Sequence, residues 1–112
     1  MTVHYLPIQP KYLHYIRTGQ KKVEARVKDK TTEAIKVGDK ILFQTPAGDK
    51  VECTVFRRSE YANEDDMIES EGLTNIFPDI TNLSERVAVR TMEYEEGNPP
   101  PTPIMVAFVL KL

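Results

Sequence analysis

Cysteine is nearly missing from this sequence, and Cys53 is its single thiol. No internal disulfide can therefore staple the chain, and together with His4 and His14 the thiol matches no zinc-ligand spacing. No metal and no cofactor is expected. A long hydrophobic run is missing too. The longest mostly apolar stretch, Ile104 to Leu110, falls far short of the roughly 20 residues a membrane helix needs, and the amino terminus lacks a signal-peptide pattern. A cytoplasmic protein without a membrane partner is the expectation. Internal repeats and low-complexity linkers are also absent. What remains is ordinary: 112 residues, 40% hydrophobic and 29% charged, the profile of one globular domain over residues 1–112, expected as a monomer.

Charge of one sign is not in excess overall, since the net value is −2, but the balance is uneven along the chain. Residues 1–58 carry 12 Lys/Arg against 6 Asp/Glu, and residues 59–112 carry 3 against 11. A basic first half is thus joined to an acidic second half. Phosphate binding follows the local field and not the net charge, so a nucleic-acid partner stays open.

Thr2 to Leu6 reads as a short strand stopped by Pro7, and Pro10 suits the first turn of a helix reaching Thr18, where Gly19 supplies the stop. Tyr12, Leu13 and Ile16 recur on one face of that helix. From Lys21 to Val27 the period changes to two, with Val23, Ala25 and Val27 on one side and Lys22, Glu24 and Arg26 on the other. The pattern predicts a strand with one charged face. After a polar loop, Val37-Gly38-Asp39 forms a turn into a strand over Lys40 to Gln44, and Pro46-Ala47-Gly48-Asp49 joins it to a returning strand carrying Val51, Cys53 and Val55, closed by Arg57 and Arg58. Asn63 caps a short acidic helix through Glu71. Leu73 to Asp79 reads as a buried turn, Asn82 with Glu85 as the capping box of another helix that ends near Tyr94, and residues 97–103 as an exposed proline-rich loop. Ile104 to Leu112 is apolar on both alternating faces, the mark of a central strand. These elements predict an α+β fold, a small mixed β-barrel or rolled sheet with two or three flanking helices.

Residues 19–26, Gly-Gln-Lys-Lys-Val-Glu-Ala-Arg, spell GxKxxExR between a short helix and a strand. With the Val37-Gly38-Asp39-Lys40-Ile41 turn and strand, the Ile76-Phe77-Pro78 turn and the terminal apolar strand, the chain resembles the ASCH domain, a β-barrel of the PUA-like superfamily. The resemblance implies a cleft beside the GxKxxExR strand and a ligand that is RNA or a modified nucleoside. Some members of the family resemble ribonucleases. Others are amidohydrolases that remove the acetyl group of N4-acetylcytidine with a lysine, a threonine and a glutamate. The lysine falls on Lys21, Glu24 stands where those enzymes have threonine, and the catalytic carboxylate falls near Asp79.

A lysine that acts as a base must lose its proton near neutral pH, which desolvation favours and a nearby carboxylate opposes. Glu24 therefore argues against a direct copy of that chemistry. If the protein is an enzyme, Lys21, Glu24 and Asp79 are the catalytic candidates, with Glu24 or Asp79 activating water and Lys21 with Arg26 stabilising negative charge. The ligand-binding candidates are Lys21, Lys22, Glu24, Arg26, Arg57, Arg58 and Tyr61, since arginines contact phosphate and tyrosines, Tyr61 and Tyr94 among them, stack on bases. The plainer reading of Lys22, Glu24 and Arg26 is a solvated face of paired charges, and that of Cys53 is a small core residue. The leading expectation is RNA binding at the Lys21, Glu24 and Arg26 cleft. A hydrolase using the same cleft, or a protein-interaction role for the acidic helix and proline-rich loop, are its rivals.

Overall fold

The computed structural model describes residues 2–80 and 103–112. Strand β1 (Val3–Pro7) is stopped by Pro7, and helix α1 (Pro10–Arg17) starts on the proline whose fixed φ suits a first turn. Strand β2 (Val23–Val27) follows, and then helix α2 (Lys30–Ala34). The sequence pattern gives a polar loop at α2. A reciprocal cap forms instead, in which the Asp29 side chain accepts from Thr32 N at 2.8 Å and Thr32 Oγ1 accepts from Asp29 N at 2.9 Å. Such a cap satisfies two otherwise orphan donors and can hold a single turn.

Strand β3 (Lys40–Gln44) pairs with strand β4 (Lys50–Tyr61) across the expected hairpin. The second strand does not end at Arg58. A bulge between Val55 and Arg57 inserts Phe56 as an extra residue, reverses the in-out alternation and lets pairing with strand β5 (Met105–Lys111) run on to Tyr61. Asn63 caps helix α3 (Glu64–Glu71) as expected, its side chain accepting from Asp66 N. The Leu73 segment, expected as a turn, is a short helix, α4 (Leu73–Ile76). The Asn82–Glu85 cap, the helix ending near Tyr94 and most of the proline-rich loop lie outside the described residues.

The sheet order is β1-β3-β4-β5-β2, with β1 parallel to β3 and every other pair antiparallel. The sheet curls into a half-barrel, an α+β architecture with four short helices among the described residues where two or three were expected. β5 is interior, as its two apolar faces require. Val106 and Phe108 pack with Leu6, Leu13, Ile16, Ile35, Ile41 and Phe43 on the side covered by α1, whereas Met105 and Ala107 pack with Val23, Met67, Ile68 and Ile76 under α3 and α4. Cys53 is buried in the first of these cores. β1 and β2 form the two free edges of the sheet, and the gap between them is where the site lies. Among the described residues no helix is long and apolar enough to cross a membrane.

Candidate functional site

Gly19 sets the geometry. Its φ of +80° is a left-handed conformation that costs glycine little, and it turns the chain back at the end of α1 so that Lys21 N bonds Tyr15 O at 3.0 Å. The Lys21 side chain is thereby aimed inward, and only 4% of the residue is exposed. Its Nζ donates to Val23 O at 2.8 Å and Ile76 O at 2.7 Å and lies 3.3 Å from Glu24 Oε1. The Tyr12 and Phe77 rings flank it, with centroids at 5.5 and 5.7 Å.

The plainer reading of β2, a solvated face of paired charges, would leave Glu24 in water. It is 7% exposed instead, because its side of β2 is the inner side of the half-barrel, opposite Phe108. Burial pushes the Glu24 carboxyl up, and Lys21 and Arg26 together outweigh this and hold it below the usual carboxylate range. Glu24 Oε2 accepts from Arg26 Nε at 3.2 Å and Nη2 at 2.9 Å, and Ala25 N donates to Oε1 at 3.1 Å. Arg26 Nη2 also donates to Pro7 O at 2.6 Å, which ties β2 to β1 across the gap.

Burial lowers the pKa of Lys21, and the Glu24 charge opposes that shift. Three oxygens surround its Nζ. A neutral amine has two N–H donors and would turn its lone pair toward one of them, so this arrangement is built for the ammonium.

These residues form the wall of a cleft of about 870 Å³ whose other sides are mainly apolar, among them Pro7, Ile8, Tyr12, Pro46 and Phe77. Few polar groups in an apolar cleft of this size are what a small organic ligand requires. Tyr12 and Phe77 meet edge to face, with centroids 6.0 Å apart.

Lys21, Glu24 and Arg26 are thus brought together, Asp79 stands near enough for its charge to act on Lys21, and the remaining candidates lie elsewhere. The Lys22 side chain is exposed, while its backbone bonds Asn75 and Leu110. Asp79 is not a wall of the cleft. It pairs with Lys11 at 2.8 Å, and burial, which raises its pKa, is outweighed by Lys11 and by the Tyr12 hydroxyl. Arg57 clasps Glu71 through both terminal nitrogens, at 3.0 and 2.6 Å, and the Tyr61 hydroxyl donates to the same carboxylate. Arg58 pairs with Glu60 at 2.7 Å. None of Arg57, Arg58 and Tyr61 lines the cleft.

Tyr12, Phe77 and Glu64 also wall the cleft, and Tyr12 reads in the sequence only as part of the apolar face of α1. Phe77 was noted only within a buried turn. Glu64 stands in the first turn of the acidic helix, where a carboxylate is ordinarily solvated, but it is buried and lines the cleft. Nothing local in the run Glu64-Asp65-Asp66 says which carboxylate turns inward. Among the described residues no group of three or more His, Cys, Asp or Glu side chains is placed to hold a metal ion.

A family profile for the ASCH domain matches residues 6–99. Among solved structures, the hypothetical protein PH0355 is 30% identical with a TM-score of 0.81, and the match covers 99% of this chain and 98% of that one. The protein PF0455 from Pyrococcus furiosus is 25% identical with a TM-score of 0.69, covering 98% and 96%. The ASCH protein from Zymomonas mobilis shares the fold at 13% identity and a TM-score of 0.68, over 99% of this chain and 68% of that one. No curated protein sequence matches this chain at a significant level.

Proposed function

The chain belongs to the ASCH domain family, and from that premise we propose that it binds RNA by receiving an exposed, single-stranded nucleotide in the cleft beside the GxKxxExR strand. One observation carries this reading: two cations and one carboxylate, Lys21, Arg26 and Glu24, are packed at the wall of a cleft that also presents the Tyr12 and Phe77 rings. A nucleobase offers flat faces to aromatic walls and donor and acceptor edges to a fixed polar cluster. Glu24 accepts from a base edge or orients the two cations. Arg26, the more exposed of the pair, meets the backbone.

Binding of a labelled single-stranded RNA, followed by fluorescence anisotropy, tests this. Affinity is expected to fall as salt is raised, in proportion to the phosphates contacted, and to fall again on charge loss in Arg26→Gln and Lys21→Met. Absent binding, or binding indifferent to salt and to both substitutions, refutes it. Circular dichroism shows that each variant is folded.

Hydrolysis is the second reading, favoured by the burial that lowers the pKa of Lys21. It has to overcome the three oxygens that hold the lysine proton. Incubation with N4-acetylcytidine and with labelled RNA decides it: product that disappears in Lys21→Ala supports catalysis, and no product from either substrate removes it.

A further inference from the structure

The gap between the two edge strands holds a second cavity of about 280 Å³. It adjoins the main cleft, for Tyr5, Leu6, Pro7, Arg26 and Val27 line both. Beyond this shared wall it is bounded by Asp29, Thr31 and Thr32.

Arg26 stands on the divide. Its Nε and Nη2 are committed to Glu24 and to the Pro7 carbonyl, while Nη1 makes no hydrogen bond among the described residues. A guanidinium pinned through two of its three nitrogens cannot swing away. Arg26 lines both cavities, so a held cation stands where they meet, and Nη1 is the nitrogen left to serve a phosphate oxygen. Tyr5 stands on the same divide and is 70% exposed. It offers a phenol face where a second ring would leave the main cleft.

A free nucleoside would fill the larger cavity and leave the smaller one empty. Two nucleotides joined by a phosphodiester use both. We infer that the groove takes a dinucleotide step of single-stranded nucleic acid, with one base in the main cleft, the linking phosphate at Arg26 and the adjoining sugar or base in a second subsite floored by Tyr5. This rests on the nucleotide reading of the main cleft and adds the length and linkage of the ligand to it.

Titration of the full chain with the four ribonucleosides and with the matched homodinucleoside monophosphates, followed by NMR chemical-shift changes, separates the two levels. The best dinucleotide is expected to bind about tenfold or more tightly than its nucleoside, the scale of one added stacked base. Tyr5→Ala should abolish that gain, and Thr31→Tyr, at an exposed position that borders only the smaller cavity, should reduce it and leave nucleoside binding unchanged. Arg26→Lys should reduce it. Equal affinity for nucleoside and dinucleotide, or a gain that survives Tyr5→Ala, overturns the second subsite while nucleoside binding upholds the main cleft. Failure of all eight compounds to bind overturns both.

Discussion

Lys21 Nζ and Glu24 Oε1 lie 3.3 Å apart with both side chains buried, and each is the reason the other can stay charged. Taking either ion out of water alone is expensive, and the pair is sustained only because carbonyl acceptors complete the lysine and Arg26 completes the glutamate.

Removing both members should therefore cost less than the sum of removing each alone. Glu24→Leu strands the Lys21 ammonium, Lys21→Met leaves Glu24 to Arg26 alone, and each is expected to lower the unfolding free energy by about 3–5 kcal/mol. The double substitution should cost clearly less than the sum of the two singles. Urea denaturation of the four proteins measures the coupling, and strict additivity would show that the two side chains do not hold one another.

Glu71 carries a pH dependence whose sign is fixed by its partners. Burial raises its pKa, but Arg57 and the Tyr61 hydroxyl hold it below the ordinary 4.5. A carboxylate depressed in the folded state contributes stability that is fully present above its unfolded pKa and is lost as pH falls through the folded value. Melting temperature should thus decline as pH drops below about 4.5, and more shallowly in Glu71→Gln. Arg57→Ala leaves the buried carboxylate without its clasp and is expected to cost about 1–3 kcal/mol at neutral pH. RNA affinity should stay unchanged, since Arg57 is no part of the cleft wall. A pH profile identical in wild type and Glu71→Gln would contradict the assignment.

Local chemistry made much of this fold legible. Proline at the start of α1, glycine at its end, Asn63 before α3 and the doubly apolar β5 act within a few residues of themselves, and the elements stand where those signals put them. Helix α2 escaped because five residues carry no periodicity and its cap uses Thr32 where Glu or Gln is the usual signal. The far half of β4 escaped because one inserted residue, Phe56, inverts the alternation. At the site, the motif put Lys21, Glu24 and Arg26 within reach of each other. Which side of β2 is covered depends on α1 and α4, whose packing is not written in the strand. For the same reason Glu64 and Phe77, some 40 and 50 residues further on, were invisible as walls of the cleft, and Asp79 was matched to Lys21 by sequence although Lys11 is its partner.

Cys53 offers a probe of the core beside the site. Burial pushes its thiol pKa up to about 11, and the residue is 1% exposed, so the reactive thiolate is both scarce and shielded at neutral pH. A disulfide reagent such as DTNB at pH 8 should leave the native protein unmodified and label one thiol per chain once denaturant is added. Rapid labelling of the native protein would mean that this core opens readily.

Gly19 and Gly48 provide a matched pair that separates the motif's backbone role from plain stability. Both have positive φ, +80° and +97°, and a Cβ built on either meets no atom within 4 Å. Alanine at each is thus opposed by the backbone conformation alone, at about 1–2 kcal/mol, and asparagine, which tolerates the left-handed region, by less. Gly48 shapes the β3–β4 hairpin and is not itself a wall of the cleft. Gly19 sets the turn through which Lys21 N reaches Tyr15 O and Lys21 enters the cleft wall. Gly19→Ala and Gly48→Ala should therefore lose similar stability in thermal melts, while RNA affinity falls in Gly19→Ala and holds in Gly48→Ala. Gly19→Asn should recover most of both losses. If the two alanine variants bind RNA equally well, the glycine of GxKxxExR is a turn residue with no part in presenting the lysine.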